Sequence, residues 1–339
     1  MLKRFSLRNY KNFKDDISID FDNIAGYQFS DDCITNGMIS KMLIYGRNAT
    51  GKTNLGRALM DIVYIVYGGL WRMDKGTFLN ADSSEDVAVF SYTFQFDEYE
   101  VIYRYTRLAN RDLRDEELII EQKTIYQCDF QHGRYNFDNL QYVGAEIVSI
   151  ERYMQSLLHD EEGTGETTEY QLPFFRWLIS NVALKSDSML LKLSDYVKRM
   201  NMVTVSQGIM RRPRQINDAF FESFEDLSAL GEFEEFLNVM GIKCKLALRK
   251  LPDGQRELYF AYEKLVPFFE NASSGTLALV ELYRRFVVAG RGASLLYLDE
   301  FDAFYHYEMA ENIIKFFKKN YPKCQIIMTT HNTNLMTNR

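Results

Sequence analysis

Residues Gly46 to Thr53 read Gly-Arg-Asn-Ala-Thr-Gly-Lys-Thr and follow directly on the apolar run Met42-Leu43-Ile44-Tyr45. The spacing is G-x-x-x-x-G-K-T, and its context constrains the fold more than the pattern does. A buried strand that ends in a glycine-rich turn and opens a helix aims several backbone N–H groups at one spot, and such a spot holds phosphate. Asn54 to Val66 supplies the helix: Leu55, Ala58, Leu59, Ile62, Val63 and Val66 recur at three- and four-residue spacing without a proline. A glycine turn carrying an incidental lysine is the bland alternative, and the strand before it and the helix after it argue against that.

With 339 residues, the chain can form one large α/β domain or a core domain carrying an inserted lobe. A formal charge of −7 disfavours a surface coated in basic residues for nucleic acid, so any polyanion contact has to be local. Cys33, Cys128, Cys244 and Cys324 lie far apart without a C-x-x-C pair, which is neither a zinc pattern nor a secreted disulfide framework. The opening Met1-Leu2-Lys3-Arg4-Phe5 does not read as a signal peptide, and no apolar run approaches the ~20 residues that cross a bilayer. A soluble, cytoplasmic protein without membrane attachment is expected.

Strands are expected at Leu2 to Leu7, Ile17 to Phe21 and residues 42 to 45. From Asp86 to about Phe130 the period changes to two, with Ala88, Phe90, Tyr92, Phe94 and Phe96 on one face and Val87, Val89, Ser91, Thr93 and Gln95 on the other. That is the pattern of an antiparallel meander. Asp160 to Glu169, acidic and containing Gly163 and Gly165, reads as a solvated loop, and 172 to about 240 reads as helical. A hairpin around Pro252-Asp253-Gly254 follows, then helix 275–289, strand 295–298, helix 307–319 and strand 326–328. The expected division is residues 1–160 with the phosphate loop and meander, 161–240 as a helical insertion, and 241–339 as a return to α/β order.

Three further segments carry chemistry. Leu295-Leu296-Tyr297-Leu298 ends in Asp299-Glu300, and a nucleotide hydrolase needs such a pair: one acid to hold Mg²⁺ and one to orient the attacking water. A solvated acidic strand end is the alternative. Ile326-Ile327-Met328 runs into Thr329-Thr330-His331-Asn332, which places His331 at the strand end where open α/β sheets bind ligands, unless it is a structural histidine. Asn271-Ala272-Ser273-Ser274-Gly275-Thr276 opens a periodic helix and taken alone is an ordinary N-cap.

In this order, and with a large insertion after the first motif, the segments resemble the ABC-type ATPases of the SMC, RecF and OLD group. They are most similar to the stand-alone AAA-type ATP-binding proteins of bacterial antiphage defence operons. The stretch Leu2 to Phe13 looks like that group's first strand and turn, and Val266-Pro267-Phe268 running into Ser273-Ser274-Gly275-Thr276 is also similar. The resemblance covers roughly residues 1–66 and 257–335. It implies a P-loop ATPase head of α/β class with an antiparallel meander and a helical insertion, using ATP and Mg²⁺. By this resemblance Gly46, Arg47, Asn48, Ala49, Thr50, Gly51, Lys52, Thr53 and Asn54 bind the nucleotide, Lys52 on the β- and γ-phosphates. Thr53 and Asp299 attend the metal, and Glu300 serves the water. Ser273, Ser274 and Gly275 match the signature that grips the nucleotide of an opposite subunit. His331 matches the switch histidine, Asp302 to His306 the loop that crosses the dimer interface, and Lys11 and Asn12 the turn flanking the nucleotide.

The chain departs from the group in places. The signature is S-S-G-T rather than L-S-G-G-Q, and the Q-loop glutamine has only Gln95 and Gln122 as candidates. No long heptad segment exists, so coiled-coil arms are not expected. The chain stops soon after His331, where relatives usually add another strand. Lys198-Arg199 and Arg211-Arg212-Pro213-Arg214 form a basic group that is either a solvated face or a contact for DNA, RNA or an acidic partner. The resulting expectation is an ATP-driven homodimeric or higher-order switch that controls a separate effector, a nuclease, in antiphage defence. A DNA-processing ATPase, a transport ATPase and a non-hydrolysing scaffold are the rivals.

Overall fold

Strict alternation of bulky and small polar residues over 87–96 can satisfy its backbone only by pairing on both sides, and the computed structural model of the protein shows that pairing. The structure describes residues 1–24, 31–68, 76–145, 147–159, 172–204, 221, 224, 227–288 and 292–336. Asp160 to Glu169 and Arg211, Arg212 and Arg214 lie outside them. Contacts divide the chain into two compact units, one comprising Met1–Tyr27, Asn36–Ile39 and Ala49–Met200, the other Gln28–Thr35, Ser40–Asn48 and Asn201–Arg339.

The first unit is built on a seven-stranded sheet of order β10-β9-β8-β7-β6-β1-β2. Its strands are β1 (Leu2–Arg8), β2 (Ile17–Asp20), β6 (Val87–Phe96), β7 (Tyr99–Leu108), β8 (Leu113–Ile120), β9 (Lys123–Asp129) and β10 (Arg134–Asn136), and all neighbours are antiparallel. The two-residue strands β3 (Ile34–Thr35) and β4 (Met38–Ile39) fall between β2 and the phosphate loop. Register Phe90↔Tyr105, Tyr92↔Tyr103 and Phe94↔Val101 stacks the large residues on one face, where Phe90, Tyr92, Phe94, Tyr103 and Tyr105 are fully buried. The alternation expected from the sequence is therefore the core face of the meander.

Over that face run α1 (Lys52–Leu59) and α2 (Asp61–Tyr67), where periodicity predicts one helix. The break at Met60 has a visible cause. The buried Tyr92 hydroxyl donates to Ala58 O at 2.8 Å and accepts the Ile62 N–H, so a side chain stands in the i→i−4 ladder where those two groups would have met. Asp61, at the start of α2, accepts from the Tyr105 hydroxyl at 3.0 Å and pairs with the buried Arg107 guanidinium. That guanidinium lies 5.1 Å from the Tyr64 ring centre and 5.0 Å from that of Phe78.

The unit also holds α3 (Ile147–His159), α4 (Phe174–Asn181) and α5 (Met189–Lys198). α4 is anchored by Glu116, a wholly buried acid on β8. Glu116 Oε1 accepts the Tyr103 and Tyr126 hydroxyls at 3.0 and 2.7 Å and the Phe175 N–H at 2.9 Å, while Oε2 accepts the Phe174 N–H at 2.8 Å. The acid thus supplies the cap that Pro173 cannot. Burial pushes its carboxyl up and the donors pull it down, burial being the larger effect.

The second unit contains a four-stranded sheet of order β11-β15-β16-β5, with β11 (Met200–Thr204), β15 (Leu295–Asp299), β16 (Gln325–Thr330) and β5 (Lys41–Tyr45). β15, β16 and β5 are parallel neighbours, in register Leu298↔Met328 and Thr330↔Tyr45. Every residue of β15 and β16 is buried, as continuous apolar strands covered on both faces require. β11 corrects the expectation that 161–240 is helical: Met200, Met202 and Val203 are buried in an extended strand beside β15. The sheet packs with α6 (Leu227–Val239), α8 (Ser274–Val288) and α9 (Tyr307–Asn320) around Phe233, Leu237, Leu279, Leu298, Ile313 and Met328. A three-stranded ladder of β12 (Leu246–Lys250), β13 (Arg256–Ala261) and β14 (Leu265–Pro267), followed by α7 (Phe268–Asn271), completes it. Among the described residues, no helix is long and apolar enough to cross a membrane.

Candidate nucleotide-binding site

The parallel order places three chain segments side by side at the carboxyl edge of one sheet. β5 leads into Gly46, whose N–H bonds to Thr330 O at 3.2 Å, and β16 leads into His331, which is exposed. β15 ends in Asp299, 1% exposed, whose Oδ1 accepts the Thr329 hydroxyl at 3.0 Å. Glu300 follows with φ 51°, left-handed for a residue with a side chain, and its N–H is held by Thr329 Oγ1 at 2.8 Å. The beginning of the phosphate loop, the acidic pair and the histidine are thus brought together within the second unit.

Ser273, Ser274 and Gly275 lie at the start of α8, where Gly275 approaches the loop that follows Glu300. Ser273 caps α8, its Oγ accepting the Thr276 N–H at 3.1 Å, and Ser274 is exposed at the helix start. A Cβ on Gly275 would lie 3.1 Å from the backbone oxygen of Phe304, so a side chain there would push the loop after Glu300 back by a few tenths of an ångström. That loop, Asp302 to His306, carries Phe304 exposed on its surface and Tyr305 with its hydroxyl buried, and burial pushes that hydroxyl's pKa up.

The rest of the loop belongs to the first unit. Ala49 has φ 65° and Gly51 φ 99°, and α1 opens at Lys52 with no side-chain hydrogen bond capping it. Lys52 is 9% exposed, and Arg47, Asn48, Ala49 and Thr50 are exposed. Asn12 lies against this turn. Its Nδ2 donates to Thr50 O at 3.4 Å, its Oδ1 accepts Asn54 Nδ2 at 2.7 Å, and a Cβ on Gly51 would fall 2.0 Å from its Nδ2. The turn that holds Lys11 and Asn12 is itself pinned by two residues that sequence reasoning passed over. The buried Asn9 donates to Glu85 O and Val87 O at 2.9 and 2.8 Å, and Asn80 donates to Lys11 O at 2.6 Å. Asn9 and Lys11 themselves adopt left-handed backbone, with φ 53° and 49°.

Both glutamine candidates are accounted for by hairpin turns. Gln95 Nε2 donates to Asp97 O at 3.0 Å beside the β6–β7 turn, and Gln122, φ 62°, sits in the two-residue turn between β8 and β9. Of the basic group, Arg199 ends α5 in an ion pair with Asp195 at 2.6 Å. Among the described residues, no three His, Cys, Asp or Glu converge as a metal cluster. Thr53, a hydroxyl of the first unit, and Asp299, a buried carboxylate of the second, are each of the oxygen-ligand type that suits a hard cation.

A family profile described as "AAA domain, putative AbiEii toxin, Type IV TA system" matches residues 41–337. No curated protein sequence matches the chain. Among solved structures, an SMC head bound to the C-winged helix domain of ScpA is similar at 14% identity and a TM-score of 0.51, covering 99% of this chain and 90% of that one. An SMC head domain from Thermotoga maritima is 14% identical at a TM-score of 0.45, with the same coverage. The fold is that of a P-loop ATPase head of the SMC type, and the chain belongs to the AAA-domain family that its profile describes.

Proposed function

We propose that the chain is an ATP-hydrolysing switch. The observation that carries this is the convergence of Gly46, Asp299, Glu300 and His331 at the carboxyl edge of β5, β15 and β16, since such an edge is where parallel sheets bind nucleotide. In this reading the N–H groups around Gly51 and Lys52 cradle phosphate, and the Lys52 ammonium balances charge on the β- and γ-phosphates. Mg²⁺, held by Thr53 and Asp299, would neutralise charge developing on the phosphate oxygens. Glu300 orients the attacking water from a fixed left-handed turn, and His331 adjoins it from the next strand.

The exposed Ser274 and the close approach of Gly275 to the Phe304 loop support a second-copy surface, so that two chains close around ATP. The family's description, which names a toxin of a type IV toxin–antitoxin system, supports a two-component role in which ATP turnover licenses a separate effector. The resemblance noted from sequence supports a nuclease acting in antiphage defence as that effector. Arg211, Arg212 and Arg214 are the proposed contact for it or for nucleic acid, and a steep linear fall of log affinity with log salt distinguishes nucleic acid.

The test is turnover. Lys52→Ala abolishes ATP binding, whereas Glu300→Gln binds ATP but hydrolyses it on the order of a hundredfold more slowly. Unchanged turnover in the glutamine variant would reject the assignment. Shared sites are tested by mixing Lys52→Ala with Ser274→Glu, an exposed substitution that suits a helix N-terminus yet repels phosphate. Each is inactive alone, and the mixture regains activity if one intact composite site forms.

A further inference from the structure

Two consecutive threonines at the end of β16 reach two acids on the turn after β15. Thr329 Oγ1 donates to Asp299 Oδ1 at 3.0 Å and accepts the Glu300 N–H at 2.8 Å. Thr330 Oγ1 donates to Asp302 Oδ2 at 2.7 Å and accepts the Asn332 N–H at 2.9 Å. Both threonines are 0% exposed and Asp302 is 9% exposed. A hydroxyl that donates and accepts at once has no isosteric apolar substitute: valine fills the same volume and makes neither bond.

Asp302 is also incompletely satisfied. Its Oδ1 is buried with no hydrogen-bond partner. Burying an acid with half its acceptors idle costs stability, so stability does not account for an acid there. Its one side-chain bond instead spans two turns. On one side Asp302 belongs to the tight turn of Glu300, closed by Ala303 N–H to Glu300 O at 3.0 Å and Phe301 N–H to Thr329 O at 3.2 Å. On the other, Thr330 holds the backbone of the His331 turn through Asn332.

We propose that Asp302 and Thr330 are positioning residues that lock the His331 turn to the Glu300 turn, so that the two side chains are oriented together. Neither touches substrate; they act through the residues on either side. The assignment of roles to Glu300 and His331 rests on the function proposed above, whereas the linkage itself does not.

The test uses the whole 339-residue chain and its four histidines. In ¹³C-labelled protein the His331 ring signal is assigned by His331→Gln. Thr330→Val and Asp302→Ala each displace that signal and leave His132 unmoved, and Thr330→Ser restores it. Adding Asp302→Ala to Thr330→Val displaces it no further. In ATP hydrolysis, Thr330→Val lowers kcat by roughly tenfold or more with KM within about twofold, and Thr330→Ser recovers most of the rate. A His331 signal that ignores Thr330→Val, or that responds additively to the two substitutions, overturns the linkage. If Thr330→Val does not fold, Asp302→Ala carries the same readout. Wild-type protein that hydrolyses no ATP overturns the proposed function instead, and the ring signal still decides the linkage.

Discussion

Gly51 is held by two constraints of different kinds. Its φ of 99° is a backbone conformation that side chains rarely adopt, and a Cβ there would also strike Asn12 Nδ2 at 2.0 Å. Asn12 is fixed in turn by Asn54 and Thr50. Gly51→Ala is therefore expected to weaken ATP affinity by roughly tenfold or more. Asn12→Ala relieves the clash and leaves the backbone strain. The double variant should bind ATP more weakly than wild type but better than the product of the two single effects, a coupling measurable by titration with a fluorescent nucleotide. Strictly multiplicative losses would mean that Asn12 does not buttress the loop. The match of Lys11 and Asn12 to a nucleotide-flanking turn carried no hint of Asn9 and Asn80, because their bonds go to backbone oxygens far along the chain.

Among the elements, the break between α1 and α2 shows where periodicity stops being informative. Leu55, Ala58, Leu59, Ile62 and Val66 keep one helical stripe across Met60, so nothing local marks the interruption. The cause is a hydroxyl on β6, more than thirty residues away. Tyr92→Phe removes it and leaves Ala58 O free to accept the Ile62 N–H. The cost to stability should be only about 1 kcal/mol, read by denaturant titration. α1 carries Lys52 and Thr53, and its direction is set by this break, so ATP affinity should fall by more than that. A large stability loss with unchanged affinity would contradict this account. The same reasoning divides what was legible from what was not. The parallel strands at 295–299 and 325–330 and the meander were readable because burial imposes their periods locally. Strand β11 was not, since Met200-Asn201-Met202-Val203-Thr204 is short and flanked by helical sequence, and only its neighbour β15 makes it a strand. Glu116 was invisible for a similar reason: an acid at an inward position of an alternating strand is the only trace it leaves, and its partners come from two other strands and a helix start. The motif residues were found by spacing, whereas the Thr330–Asp302 bond joins positions 28 residues apart and no spacing rule reaches it.

At the scale of the molecule, the chain crosses between its two compact units within the phosphate loop, with Gly46 to Asn48 in one and Ala49 onward in the other. The loop's backbone is therefore a covalent seam at which the chain leaves one unit and enters the other. This seam has an optical consequence. The chain has two tryptophans, Trp71 and Trp177, both before residue 201 in sequence, and the unit comprising 28–35, 40–48 and 201–339 has none. Trp177 emission, isolated by Trp71→Phe, then follows the melting of the meander unit, while far-ultraviolet circular dichroism follows both. In nucleotide-free protein a difference between the two transitions reports that the halves melt separately, and coincident transitions report a single cooperative body. A ligand stabilises by mass action whichever folded part it binds. Saturating ATP with Glu300→Gln should therefore raise the temperature of the emission transition, so that an indole of the meander unit registers whether the part of the loop from Ala49 onward has been filled.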